Sequence, residues 1–194
     1  VRELVESLVR GSSLPLPFRS SGADPTSDEL GCGELGVRRL VASATDWRYS
    51  HEVVAPPADW TLEAFDDAAW PQGSGGIGFG SAALETRLEG TPSLSMTLYA
   101  RARFFLDDVD AIDGLVLELD YDDGFIAYLN GRRVAEAGAA SGDPSFDSVA
   151  TGKHEAGTPQ RFDLTRHLAS LVSGTNALAV VGLNDMSELG MSLS

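Results

Sequence analysis

The chain has 194 residues, of which 43% are hydrophobic, and this suits the core of one β domain with an additional segment. Its 29 acidic and 14 basic residues give a formal net charge of -15, which argues against nucleic acid and anionic lipid as partners, and no apolar run is long enough to predict membrane insertion. The single cysteine, Cys32, cannot form an intrachain disulfide, and a structural zinc site, which needs about four soft ligands, is excluded.

Residues 1–40 differ in pattern from the rest of the chain. Five apolar residues recur with helical spacing and predict a short amphipathic helix: Val1, Leu4, Val5, Leu8 and Val9. The following stretch, residues 13–36, is rich in Pro, Gly and Ser and predicts a loop or linker. We therefore expect an N-terminal extension over residues 1–40. It is either the tail of a preceding domain or a segment that lies on the next domain and completes a sheet edge.

From Val37 onward, short strand-like runs follow one another without intervening long helices, and the chain holds 21 glycines and 9 prolines. Residues 97–106 alternate an apolar set with Tyr99, Arg101 and Arg103, which predicts a half-buried strand with one polar side. A similar alternation predicts a strand in GLVLELDY, residues 114–121. This pattern is typical of an all-β sandwich, which we place at residues 41–194.

The C-terminal half carries the clearest local signals. Asn130-Gly131 is the preferred two-residue turn between right-twisted strands, so FIAYLNGRRVAEA, residues 125–137, predicts a hairpin. NALAVVGLN, residues 176–184, is almost continuously apolar, as in a strand buried on both faces. Residues 163–174 predict a short helical or irregular turn that ends at Gly174.

Several pieces together resemble the galactose-binding-like jelly rolls, above all the sugar-binding sandwich domain of glycoside hydrolases and accessory domains of large secreted bacterial proteins. The pieces are, in order, WRY (47–49), Trp60, FDDAAWPQGSGGIGFG (65–80), YARARFFL (99–106), LELDYDDGFIAYLNGRRV (117–134), FDLTRHL (162–168) and SGTNALAVVGLN (173–184). The resemblance implies an all-β jelly-roll sandwich with an irregular N-terminal extension. It also implies a non-catalytic carbohydrate-binding module within a larger extracellular or surface protein.

Aromatic and polar residues in the predicted loops are the candidates for sugar recognition. Aromatic rings contact the apolar face of a sugar, and a few convergent polar groups bind its hydroxyls. The candidates are Trp60, Tyr121, Asp122, Asp123, Asn130 and Arg132. A core or loop-plug role is an equal alternative for Trp60, because large aromatic residues dominate sandwich packing.

The resemblance further implies a structural calcium ion, held between an early loop and the C-terminal segment. Calcium takes six to eight oxygen ligands from carboxylates and carbonyls. The candidate ligands are Asp66, Asp67, Asp185 and Glu188. Asp67 is alternatively a residue that caps a tight turn in FDDAAW.

No catalytic constellation is evident in the sequence, and we expect no enzymatic activity. The sequence has three pairs of adjacent aspartates, such as Asp122 with Asp123. Adjacent residues on a strand point to opposite faces, so these pairs are poorly placed for acid–base catalysis. No Ser elbow motif and no HExxH motif occurs. The alternatives to a sugar-binding module are a ligand-free spacer beside a catalytic domain and, less favoured, a fragment of a hydrolase. The expected partner is a carbohydrate or a neighbouring domain of the same polypeptide.

Overall fold

A computed structural model of the chain describes residues 4–12, 37–42, 45–79, 84–88 and 96–185. Within these ranges the chain forms twelve β-strands and one 3-10 helix, Thr165–Ser170. The strands are β1 Leu4–Ser12, β2 Val37–Val41, β3 Asp46–Ser50, β4 Gln72–Ser74, β5 Ile77–Gly78, β6 Thr86–Arg87, β7 Thr97–Leu106, β8 Gly114–Tyr121, β9 Gly124–Leu129, β10 Arg132–Ala137, β11 Gln160–Asp163 and β12 Gly174–Leu183. The predicted all-β fold is confirmed.

The strands form two sheets that face each other as a sandwich. The first sheet has the order β11-β8-β1-β5-β6, with β2 paired to β1, and the second has the order β10-β9-β12-β7-β3-β4. Every pairing among the described strands is antiparallel except that of β5 with β6. The long strands β7 and β12 pair over their full length, from Leu106 opposite Gly174 to Thr97 opposite Leu183.

The main core lies between the two sheets and follows from strand alternation. Leu115, Leu117 and Leu119 of the first sheet pack in one cluster with residues of the second sheet such as Phe125 and Leu178. All five are essentially inaccessible to solvent. Burying each such side chain stabilises the fold by about 1.5–3 kcal/mol.

The second sheet is also covered on its other face, which we call the outer face. Ile126 and Tyr128 alternate with the core residues of β9 and belong to a second apolar cluster, which also contains Trp60 and Val181. The strand β12 is therefore buried on both faces, as its apolar run predicts. The outer face is covered by two loops, the Trp60 loop (residues 51–71) and the Asp143 loop (residues 138–150).

The N-terminal helix prediction is wrong, because Leu4–Ser12 is the strand β1. Its backbone pairs with β8 on one side and with β5 on the other, inside the first sheet. Between Val5 and Leu8 the register with β8 shifts, so three steps of β1 lie opposite two of β8. Such a bulge lets a strand accommodate apolar residues without strict alternation, which explains why the spacing imitated a helix. Tertiary pairing here outweighs the local pattern.

The predicted linker, residues 13–36, lies outside the described residues, and Cys32 with it. The division at residue 40 stays a prediction, although the backbone of residues 4–12 is part of the first sheet.

The hairpin between β9 and β10 is confirmed. Asn130 and Gly131 have φ angles of 49° and 85°, and Leu129 pairs with Arg132 across the turn. Positive φ at both central residues defines the type I′ turn, which matches the twist of the strands. The predicted helical turn before β12 is confirmed as the 3-10 helix, and Gly174, with φ 109°, follows it.

Candidate ligand-binding pocket

A pocket of about 420 Å³ opens between the Trp60 loop and the Asp143 loop on the outer face of the second sheet. We call it the outer pocket. Its lining residues are Ala55, Pro56, Ala58, Trp60, Thr61, Tyr99, Tyr128, Gly131, Asp143 and Pro144. Strands β7 and β9 supply the two tyrosines, and the loops supply most of the rest.

Three aromatic rings meet at the outer pocket. The Trp60 ring lies edge-on to the Tyr99 ring at 5.2 Å and to the Tyr128 ring at 6.0 Å, centroid to centroid. On its other side, Trp60 stacks with Trp70 at 6.1 Å. Edge-to-face aromatic pairs contribute about 0.5–1.5 kcal/mol beyond their buried area. The mutual packing therefore holds these rings in a fixed arrangement.

The Tyr99 hydroxyl is a buried polar group at this pocket. Tyr99 is 1% exposed. Burial raises the pKa of Tyr99, an effect that a side-chain hydrogen bond with Thr97 opposes and the charge of Asp147 reinforces.

Tyr128 lies in a similar environment. Burial raises its pKa, Arg133 opposes the shift, and the negative charges of Asp143 and Glu136 add to it. Both tyrosines are therefore neutral near pH 7 and can donate as well as accept a hydrogen bond.

Arg101 clamps the Trp60 loop to the sheet. It projects from β7, is 1% exposed, and donates hydrogen bonds to the carbonyl oxygens of Leu62 (2.6 Å) and Phe65 (3.0 Å) and to the Asp67 carboxylate. Burial lowers its pKa, and the charge of Asp67 opposes that shift. The predicted polar side of β7 is thus partly wrong, because loop carbonyls and a carboxylate replace solvent around Arg101.

Arg103 extends the same clamp. Its Nη1 lies 3.0 Å from Asp67 Oδ1, and its Nη2 donates to the Phe65 carbonyl at 2.6 Å. Asp67 therefore bridges two guanidinium groups while being almost fully buried. Asp66, and not Asp67, caps the turn in FDDAAW, since Asp66 Oδ1 accepts the Ala68 N–H at 3.0 Å.

The Asp143 loop is fastened by separate hydrogen bonds. Arg133 donates to the Gly142 carbonyl at 2.6 Å and also pairs with Glu136. Further along, the Thr97 hydroxyl donates to the Phe146 carbonyl at 3.0 Å. Strands of the second sheet therefore hold both loops in place, and with them the walls of the outer pocket.

The predicted sugar-binding residues do not converge on one site. Trp60 lines the outer pocket, although it is only 7% exposed. Tyr121, Asp122 and Asp123 precede β9, whereas Asn130 and Arg132 follow it, so the six-residue strand separates them by about 20 Å at 3.3 Å per residue. Arg132 is exposed at the hairpin.

The buried residues before β9 have structural partners. Tyr121 donates to Gln160 Oε1 at 2.9 Å, and its ring stacks on His154 at 4.1 Å. The Asp123 carboxylate accepts the backbone N–H groups of His154 (3.2 Å) and Asp185 (2.7 Å). The Asp122 side chain is buried in the same turn. These contacts fix the loops around the turn.

Asn130 also has a structural role in the folded chain. Its amide nitrogen donates to the Ser170 carbonyl and to Asn176 Oδ1, both at 2.7 Å, and its Oδ1 accepts the Ala177 N–H at 2.8 Å. The side chain thereby joins the hairpin to the start of β12.

The four predicted calcium ligands are only partly described. Asp67 is paired with two arginines, Asp66 is exposed, and the Asp185 backbone N–H binds Asp123. Glu188 lies outside the described residues. Across the described ranges, no group of three or more His, Cys, Asp or Glu side chains is placed to hold a metal ion. The calcium site stays a prediction.

A second cavity, of about 620 Å³, lies between the sheet edges β10 and β11. Its charged lining is largely paired within the protein. Arg133 pairs with Glu136, Arg161 with Glu118 at 3.2 Å, and Arg166 Nε donates to His167 Nε2 at 2.9 Å. Burial, with Arg166 and Arg132 nearby, lowers the pKa of His167. The outer pocket is lined by fewer charged side chains than this second cavity.

Sequence reasoning missed Tyr99, Tyr128, Thr61 and Asp143. One usable signal was present, since Tyr99 shares a strand face with Arg101, and Tyr128 alternates with core residues on β9. These tyrosines face away from the main core. That the two loops cover them could not be derived from local patterns.

No family model and no curated protein matches the chain. Among solved structures, a beta-glucuronidase from glycoside hydrolase family 2 is 16% identical (TM-score 0.43) and covers 93% of this chain, which spans 14% of that chain. A family 2 member from Bacteroides cellulosilyticus DSM 14838 is 16% identical (TM-score 0.41), with 73% of this chain and 17% of that chain covered. A beta-D-mannosidase from Dictyoglomus thermophilum is 15% identical (TM-score 0.41), with 75% and 16% covered. The chain thus spans about a sixth of these structures.

The described residues contain no helix with the length and apolar character needed to cross a membrane.

Proposed function

We propose that this chain is a non-catalytic carbohydrate-binding module and that it binds sugar in the outer pocket. The observation that carries this proposal is the lining of the outer pocket, where the Trp60, Tyr99 and Tyr128 rings meet beside the polar side chains of Thr61 and Asp143. A sugar presents both an apolar face for aromatic contact and hydroxyl groups for hydrogen bonds. Thr61 and Asp143 provide additional oxygen acceptors at the rim.

The lining chemistry favours binding over hydrolysis. A glycosidase needs two carboxyl groups about 5–10 Å apart across the scissile bond, one of them a proton donor. Among the described residues that line the outer pocket, Asp143 is the only carboxylate. Burial keeps Tyr99 and Tyr128 protonated, so neither acts as a general base near pH 7.

We further propose that the module is an accessory domain of a larger extracellular or surface protein. The resemblance of residues 45–185 to accessory sandwich domains supports this setting. A pocket for one sugar unit binds weakly, and its use lies in keeping an attached domain close to a polymer, where effective concentration replaces affinity.

A spacer that packs beside a catalytic domain is the alternative function. Three large apolar side chains favour it, since Leu62, Phe105 and Val172 are 45%, 58% and 50% exposed. Exposed apolar residues can mark a contact with a neighbouring domain. The structural roles of Tyr121, Asp123 and Asn130 are equally consistent with this alternative.

A glycan-array screen of the purified chain, followed by calorimetric titration of the bound glycans, tests the proposal. The screen is run with calcium and repeated with chelator, which also tests the predicted calcium site. Tyr128→Phe and Thr61→Ala remove pocket hydroxyls and are expected to weaken binding about 5- to 10-fold, as loss of one hydrogen bond does. Tyr121→Phe is the matched control, because it removes a hydroxyl at the far end of β9.

Saturable binding that Tyr128→Phe weakens and Tyr121→Phe leaves intact would support the proposal. A blank array with folded protein, or equal effects of the two variants, would contradict it and favour the spacer.

A further inference from the structure

The charge on the side chains that line the outer pocket is negative. Within the described part of the chain, Asp143 is the only charged side chain that lines this pocket, and neither lysine nor arginine does. The pocket therefore has no cation with which to bind a carboxylate, sulfate or phosphate group.

Charges just behind the lining reinforce this sign. The negative charge of Asp147 acts on Tyr99, and those of Asp143 and Glu136 act on Tyr128. Arg133 is the one cation acting on Tyr128. Arg133 and Glu136 form an ion pair, so these two charges largely compensate each other and the remaining charges, Asp143 and Asp147, are negative.

The position of Asp143 is supported by the fold. Arg133 binds the carbonyl of Gly142, the residue next to Asp143, and so fixes the stretch of loop that carries the carboxylate. The other polar groups at hand are the neutral hydroxyls of Thr61, Tyr99 and Tyr128. Hydroxyls of this kind accept and donate without preference for ligand charge.

We propose that the outer pocket discriminates by charge: it binds acidic sugars more weakly than neutral sugars, and it binds amino sugars most tightly through Asp143. This inference rests on the proposed function, because it assigns the class of sugar to the same pocket. An ion pair at an exposed carboxylate contributes modestly, so the expected preference is about two- to fivefold in each direction. The net charge of -15 on the chain acts in the same sense at low salt.

The test is calorimetric titration with matched sugar sets: glucose, glucosamine and glucuronate, and the corresponding galactose and mannose sets. The titrations are made at pH 6, where the amine is protonated and the uronate is ionised. In the set that binds, the amino sugar is expected to bind about two- to fivefold more tightly than the neutral sugar. The uronate is expected to bind more weakly than the neutral sugar by at least about the same factor.

Asp143→Asn is expected to remove most of both differences, because the remaining charges are farther from the ligand, while it changes the affinity for the neutral sugar less than about twofold. Asp110→Asn is the matched control, because it removes one exposed carboxylate beyond the far end of β7 and should preserve both differences. Raising the salt concentration should reduce both differences in the wild-type protein.

Equal or tighter binding of the uronate would overturn the charge inference and leave the sugar-binding proposal intact. Preserved differences in Asp143→Asn would also overturn it. If no member of any set binds the folded protein, the proposed function fails, and the inference fails with it.

Discussion

The buried ion pair between Arg101 and Asp67 provides a sharp stability test. Arg101→Met removes two hydrogen bonds to loop carbonyls and one to a carboxylate, which together amount to about 4 kcal/mol. Arg103 still neutralises Asp67, and the methionine fills part of the space, so we expect a loss of about 3 kcal/mol in the free energy of unfolding.

The reciprocal variant, Asp67→Asn, leaves the inaccessible Arg101 guanidinium without its counter-charge. We expect it to lower the free energy of unfolding by about 3–5 kcal/mol. The double variant should lose at least about 1 kcal/mol less than the two single losses added together, because the pair is coupled.

Urea unfolding followed by tryptophan fluorescence measures both effects. Trp60 and Trp70 stack within the clamped loop and report its opening. Arg38→Met is the control, since Arg38 pairs with Asp107 at 3.4 Å on the exposed surface, and such a pair contributes about 0–1 kcal/mol. If Arg101→Met cost no more than Arg38→Met, the clamp would not stabilise the loop. If the single losses simply added, Arg101 and Asp67 would not be energetically coupled.

Three further predictions concern single sites. Gly131→Val should lower the free energy of unfolding by about 1–3 kcal/mol, because φ is +85° and a Cβ there would lie 2.4 Å from Leu62 Cδ2. Thermal melting measures the effect, and an unchanged Tm would contradict the prediction. Burial raises the pKa of Tyr99 above 10.0, so the stability from its neutral form is complete below pH 10 and is lost as the pH rises above that value. The urea midpoint should therefore fall less between pH 8 and pH 10.5 in Tyr99→Phe than in the wild-type protein. Equal falls would show that the raised pKa of Tyr99 does not contribute to the pH dependence of stability. Asp123→Asn should lower the free energy of unfolding by about 1–3 kcal/mol, because it weakens the hydrogen bond that the Asp185 N–H donates to Asp123. It should leave sugar affinity unchanged, because Asp123 lies at the opposite end of β9 from the outer pocket. Calorimetric titration of the folded variant measures that affinity, and a weaker affinity would show that Asp123 contacts the ligand.

Local patterns were sufficient where the structure depends on neighbouring residues. The Asn130-Gly131 turn follows from the ease with which these residues adopt positive φ. The strand at residues 97–106 and the doubly buried strand β12 follow from alternation and from continuous hydrophobicity.

Local patterns failed where contacts between distant segments decided the outcome. β1 became a strand because β8 and β5 offer it backbone partners, although its apolar spacing imitates a helix. Tyr121, Asp122 and Asp123 looked like an exposed loop but are buried by segments that are remote in sequence, among them His154.

The sequence by itself determined the class of fold, the hairpin of β9 and β10 and the strands β7 and β12, because strand propensity, alternation and turn chemistry are local properties. Only the tertiary structure decided which side chains form a site. Arg101 could be recognised as a clamp only once Leu62 and Asp67 lay against it, and Tyr99 gained its environment only when Trp60 and Asp143 closed over the sheet. Burial and charge at the pocket depend on segments that lie about 35 to 80 residues apart in the sequence, and a local pattern does not predict that such segments come into contact.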